Sequence, residues 1–100
     1  MSSNRLSQSA SATSWFDGKP HIRVYTLSGD GNVKESCWDK DHWYAGALTD
    51  QFQANCAPGA TSWLDGGQIH LRVYSTTLTD GFQEFCWDKD SWYVGAFKGT

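Results

Sequence analysis

Proline is scarce in this 100-residue chain, with two residues, and methionine occurs once. Proline this rare excludes a proline-rich linker or a polyproline segment. Long apolar runs are missing, and no stretch approaches the roughly 20 residues a membrane-spanning helix needs, so membrane insertion is not expected. Cationic excess is missing too. Eight Lys and Arg stand against eleven Asp and Glu, for a formal charge of −3 and a pI near 5.4. That balance excludes a basic surface built to follow a phosphate backbone, so nucleic acid is not an expected partner. Met1–Ala12 is serine-rich and lacks the apolar core of a secretory signal peptide, so cytoplasmic location or export by a non-classical route is expected. Cysteine is limited to Cys37, Cys56 and Cys86. Three cannot all pair within one chain, and their spacing fits neither a zinc site nor a disulfide framework. Cys37 and Cys86 sit in matching Cys-Trp-Asp contexts and read as buried thiols. Cys56, beside Pro58 and Gly59, reads as exposed. No helical periodicity extends beyond a turn.

What the chain has in abundance is aromatic side chains, 15% of all residues with six Trp, together with ten Gly. They recur in order. Thr13-Ser14-Trp15 returns as Thr61-Ser62-Trp63, and His21-Ile22-Arg23-Val24-Tyr25 as His70-Leu71-Arg72-Val73-Tyr74. Glu35-Ser36-Cys37-Trp38-Asp39-Lys40-Asp41 then returns as Glu84-Phe85-Cys86-Trp87-Asp88-Lys89-Asp90, followed by Trp43-Tyr44-Ala45-Gly46-Ala47 and Trp92-Tyr93-Val94-Gly95-Ala96. The offset is 48 at the first Trp and 49 from Arg onward, so the second copy carries one extra residue near Gly66-Gly67. The sequence therefore divides into a polar, disordered tail over 1–12, a first repeat over 13–48, a connector over 49–60 and a second repeat over 61–97.

Each copy reads as four short strands. In the first they fall near residues 13–16, 21–26, 33–38 and 43–47, rich in β-branched and aromatic residues and interrupted by Gly, Asp and Asn clusters. Four antiparallel strands in just under about 50 residues is the size of a propeller blade. A blade is apolar on both faces because each packs on a neighbour, and such stacks need about three or more units. Two blades alone would leave two apolar faces wet, so closure of a ring by several chains is expected. Repeat counting does not choose among two, three or four chains.

Alternation along the strands assigns the faces. His21, Arg23 and Tyr25 share one face of the second strand, and Ile22 and Val24 the other. If pairing puts Arg23 and Glu35 on one side, Ile22 and Trp38 lie behind; the second copy repeats this with Arg72 and Glu84 against Leu71 and Trp87. Stacked blades then enclose a crevice with a charged wall and an aromatic wall. A sugar ring has the same division, hydroxyls on its rim and C–H groups on a face. Arg donates a planar fork, Glu accepts from hydroxyls, and an indole covers the C–H face. Charge-assisted hydrogen bonds of this kind contribute roughly 1.5–3 kcal/mol each. The competing reading is a structural Arg–Glu pair with core Trp residues; retention of the whole set in both copies favours a ligand site.

The pattern His-Ile/Leu-Arg-Val-Tyr, Glu-x-Cys-Trp-Asp and Trp-Tyr-x-Gly-Ala resembles the fucose-binding lectins of the Aleuria aurantia type, most closely their short two-repeat bacterial members. The resemblance covers Thr13 to Phe97, twice. It implies an all-β fold in which three chains, each with two four-stranded blades, form a six-bladed β-propeller. It also implies a homotrimer that binds L-fucose and fucosylated oligosaccharides or glycoproteins between blades, with no metal and no other cofactor. Carried over, an in-chain site uses Arg23, Glu35, Gly46 and Ala47 with Ile69, Leu71, Trp87 and Trp92. A between-chain site uses Arg72, Glu84, Gly95 and Ala96 with Pro20, Ile22, Trp38 and Trp43 of a neighbouring chain.

Two other classes fit the residues less well. A glycoside hydrolase needs two carboxylates flanking the scissile bond, whereas each crevice offers one Glu beside an Arg, which keeps a carboxylate ionised. Asp39 and Asp88 read as turn residues. A protein-binding propeller scaffold is the other alternative, but the repeats lack the Gly-His…Trp-Asp layout of that class. His21, His42 and His70 are too scattered for a metal site.

Overall fold

Short β-branched and aromatic runs between Gly- and Asp-rich turns become eight strands in the computed structural model, which describes residues 9–78 and 81–99. The first sheet contains β1 (Ala10–Phe16), β2 (Pro20–Leu27), β3 (Val33–Trp38) and β4 (Trp43–Ala45). The second contains β5 (Gly59–Asp65), β6 (Gln68–Thr76), β7 (Phe82–Trp87) and β8 (Trp92–Val94). Each is an antiparallel meander in chain order. The fold is therefore all-β, built from two four-stranded sheets.

Strand pairing decides the faces. Arg23 pairs with Cys37 and Tyr25 with Glu35, so these four share one face, while Ile22 pairs with Trp38 on the other. Arg72–Cys86, Tyr74–Glu84 and Leu71–Trp87 repeat the register. The extra residue of the second copy lies in its first hairpin. Phe16 and Pro20 close a three-residue turn, whereas Leu64–Ile69 is followed by one more pair, Asp65–Gln68, around Gly66-Gly67. Both glycines have positive φ, 61° and 84°, the conformation a two-residue hairpin turn requires.

The boundaries differ from the sequence reading at three places. β1 begins at Ala10, inside the segment read as a disordered tail, because β2 is long enough to pair Ala10, Ser11 and Ala12 with Thr26, Tyr25 and Val24; residues 1–8 of that segment lie outside the described residues. The connector is not a free link. Val33 donates to the Phe52 carbonyl and Ala54 to that of Gly31, both at 3.0 Å, and Gly59 and Ala60 already belong to β5. The fourth strand stops at Ala45, where the chain turns to cross over Glu35.

The front of the first sheet packs on the back of the second. Tyr25, Leu48 and Val73 form the buried centre, with Phe52, Phe85 and Trp92 packed around them. Burying side chains of this size contributes about 1.5–3 kcal/mol each. Phe52 of the connector stacks on Phe85 at 4.2 Å between centroids. The first strands of the two sheets run side by side, joined by a 2.7 Å hydrogen bond between the Thr13 and Ser62 hydroxyls. Cys37 and Cys86 are buried and Cys56 is exposed, as their contexts imply.

Candidate functional site

A crevice of about 240 Å³ opens between the two sheets. The first sheet contributes Arg23, Glu35, Gly46 and Ala47, and the second contributes Ile69, Leu71, Trp87 and Trp92. All eight residues expected at the in-chain site are thus brought to one cavity. Trp15, Cys37, Tyr44 and Ala45 line it as well and were missed. The repeated Thr-Ser-Trp and Trp-Tyr steps were the signals for Trp15 and Tyr44, and strand parity already put Cys37 beside Arg23.

Glu35 is almost wholly buried, 3% exposed, and two donors fix its carboxylate. Tyr25 donates its phenol to Oε2 at 2.8 Å, and the Leu48 amide donates to Oε1 at 3.1 Å. Burial, followed by the adjacent Glu35, pushes the Tyr25 hydroxyl well above its ordinary range, so it keeps its proton and remains a donor. The backbone at Gly46 passes directly over this carboxylate. A β-carbon there would overlap the Glu35 carboxyl and come within 2.7 Å of the Cys37 sulfur. Burial, then the charge of Glu35, lifts that thiol to about 11; it is a neutral, packed side chain and not a nucleophile.

Arg23 does not take Glu35 as its ion-pair partner, so in this blade the competing reading of a structural Arg–Glu pair does not hold. Its two terminal nitrogens donate to Asp39, Nη1 to Oδ1 at 2.9 Å and Nη2 to Oδ2 at 3.3 Å. From the sequence Asp39 reads as a turn residue. It is instead a hub, also hydrogen-bonded by the Tyr44 phenol and lying 2.6 Å from His21 Nδ1. Partial burial opposes its ionisation, but the hydrogen bonds from Arg23, Tyr44 and His21 outweigh it and hold the carboxyl down at about 2. The hairpin that looked like a simple turn is where β3 hands its last side chains back to β2. Trp15 completes the arrangement, stacked on His21 at 5.0 Å, with the Arg23 guanidinium carbon 4.8 Å above its ring.

The between-chain set is split. Arg72, Glu84, Gly95 and Ala96 belong to the front of the second sheet, and Pro20, Ile22, Trp38 and Trp43 to the back of the first, so one chain does not bring them together. Each half nevertheless repeats its in-chain counterpart. Arg72 donates to Asp88 at 2.9 and 3.4 Å and lies 5.0 Å above Trp63. Tyr74 donates to Glu84 at 2.9 Å, and a β-carbon at Gly95 would overlap that carboxylate. Hydrogen bonds from His70, Tyr93 and Arg72 hold Asp88 well below the usual carboxylate range. On the opposite wall Trp38 and Trp43 meet at 5.6 Å and 55°, as Trp87 and Trp92 do at 5.7 Å and 59°.

Chemically, the crevice offers fixed donors and a fixed acceptor on one side and two indoles with aliphatic side chains on the other. Arg72 Nε and Glu84 Oε2 lie 4.0 Å apart, a gap that one hydroxyl oxygen can bridge with about 2.8–2.9 Å to each. No group of three or more His, Cys, Asp or Glu side chains suited to a metal ion occurs among the described residues.

Residues 1–100 match the model of the fungal fucose-specific lectins. Among solved structures, the chain is similar to a fucose lectin from Kordia zhangzhouensis in complex with methyl-fucoside, at 55% identity and a TM-score of 0.85, covering 89% of this chain and 64% of that one. It is also similar to the Aleuria aurantia lectin, a six-bladed β-propeller, at 30% identity and a TM-score of 0.71, covering 91% of this chain and 30% of that one. Among curated proteins, the fucose-specific lectin of Aleuria aurantia is 34% identical over 46 residues, which is 46% of this chain and 15% of the relative. The chain thus spans less than two thirds of the length of these relatives.

Proposed function

The chain belongs to the fungal fucose-specific lectin family, and from that premise we propose that it binds L-fucose and fucosylated glycans in the crevices between blades, without catalysis and without a metal. The observation that carries this reading is the division of the crevice, Arg23 and Glu35 facing Trp87 and Trp92 across about 240 Å³. Arg and Glu serve the hydroxyls, while the indoles and Ile69 cover the C–H face and the methyl group of a 6-deoxy sugar. Burial of that methyl adds about 0.8 kcal/mol. A glycoside hydrolase would need two carboxylates flanking the scissile bond, and the residues lining this crevice supply one, Glu35. Glycosidic bonds are expected to survive.

The assembly we propose is a homotrimer closing six blades. Its support is the pair of complementary faces, one with Arg72 and Glu84 and the other with Trp38 and Trp43, which belong to opposite sides of different sheets, with Trp43 left 50% exposed. The core makes the same point. Leu48 is buried against Tyr25 and Val73, whereas its repeat equivalent Phe97 sits edge-on to Tyr74 at 5.6 Å and stays 42% exposed. A neighbouring chain's first blade, presenting the equivalent of Val73, would complete that cluster. Several sites on one ring then gain strength against fucosylated surfaces by multivalency.

Titration calorimetry with L-fucose in the presence of a chelator tests the reading, with native mass spectrometry on the same sample. About two sites per chain and about three times the chain mass are expected. Loss of binding on chelation, release of fucose from a glycoside, or a stable monomer would each overturn the corresponding part.

A further inference from the structure

We propose that Asp39 and Asp88 are positioning residues for fucose, each locking the arginine of its site in the orientation that presents donors to the sugar. The inference rests on the fucose-binding reading above and adds residues that the sugar does not touch. An arginine on a strand has four rotatable side-chain torsions, and holding its fork in one place costs entropy that must be met before or during binding. Here it is met beforehand. Asp39 takes both terminal nitrogens of Arg23, at 2.9 and 3.3 Å, and the carbonyl of Ile22 takes Nη1 again at 3.0 Å. This end-on grip consumes the terminal edge of the guanidinium and leaves the Nε edge free. In the second blade that edge faces Glu84.

The carboxylate is itself immobilised. His21 Nδ1 lies 2.6 Å from it, His21 Nε2 lies 2.7 Å from Asp17, and Trp15 caps the imidazole and the guanidinium together. The second blade repeats the grip with His70, Asp88 and Trp63 but braces it differently: Gln68 donates to the Asp88 carbonyl at 2.7 Å. Two local solutions to the same requirement, holding one carboxylate under one arginine, point to the arginine's orientation as what is being kept. The Arg72 guanidinium also reaches the Trp87 carbonyl at 3.5 Å, so Arg23 depends more on its carboxylate than Arg72 does.

The test is a double-mutant cycle on the full chain, read by calorimetry with L-fucose. Asp39→Asn should weaken the in-chain site at least tenfold and leave the Arg72 site unchanged, with assembly mass preserved. In an Arg23→Lys background, where there is no fork to orient, the same substitution should cost less than threefold. Asp88→Asn and Arg72→Lys should behave the same way at the other site. Wild-type affinity in both asparagine variants, or equal losses with and without the fork, would overturn the inference while leaving fucose binding intact. Dissociation or unfolding of both asparagine variants would also overturn it, by making the carboxylates structural. Absence of fucose binding by the unaltered protein would remove the underlying reading instead.

Discussion

Gly46 lies so close above Glu35 that the carboxylate occupies the space a β-carbon would need. The relationship ties the end of β4 to the acceptor of the crevice, because the same turn lets the Leu48 amide reach Glu35 Oε1. Gly46→Ala should therefore force Glu35 out of place or lift the turn. Overpacking of this kind costs about 1–3 kcal/mol. The expected outcome in calorimetry is loss of the in-chain fucose site with the other retained, and Gly95→Ala should do the converse.

The two sites use opposite faces of each blade. Arg23→Ala should lower stoichiometry from about two sugars per chain to about one, since losing charge-assisted hydrogen bonds costs several kcal/mol, about 1.5–3 for each. Arg72→Ala should remove the complementary site. The double variant should bind no fucose and keep its mass in sedimentation. Dissociation to monomers would mean that the arginines hold the blades together.

Phe97 packs edge-on against Tyr74 and remains 42% exposed, where its repeat equivalent Leu48 is 1% exposed. Phe97→Asp places a charge where a neighbouring blade would bury an apolar ring. Burying an unpaired carboxylate costs several kcal/mol. Native mass spectrometry should show the variant as a monomer, with the between-chain site absent.

Acid should act through Asp39. Its carboxyl is held at about 2 in the folded chain against an ordinary value of 3.8. A carboxyl depressed by folding contributes stability that is complete above its unfolded pKa and is lost as pH falls through the folded one. The window therefore runs from about pH 4 down to about pH 2. Denaturant unfolding followed by tryptophan fluorescence should report a falling stability as pH drops through that window. Asp39→Asn should be less stable at pH 7 and flatter between pH 4 and pH 2.

The repeat carried most of what could be read from residues alone. Period-two alternation is set by strand geometry, so Arg23 with Tyr25 and Ile22 with Val24 followed once the strands were recognised, whereas the β2–β3 register brought Glu35 to the first face and Trp38 to the second. The glycine-rich hairpin around Gly66-Gly67 was legible for the same reason, since positive φ has few other residues to choose from. The part Asp39 plays was not. Aspartate after a strand is ordinary turn chemistry, and only the β2–β3 pairing brings it under Arg23 and beside His21, sixteen and eighteen positions away in the chain. The connector was equally opaque, because polar composition hid that Phe52 would find Phe85 across the sheet gap. Local sequence determined which side chains of one strand face together, because alternation along a strand is a property of the backbone. Which of them touch, and which stay bare on the outer faces, depended on sheet stacking, where the partners come from distant parts of the chain.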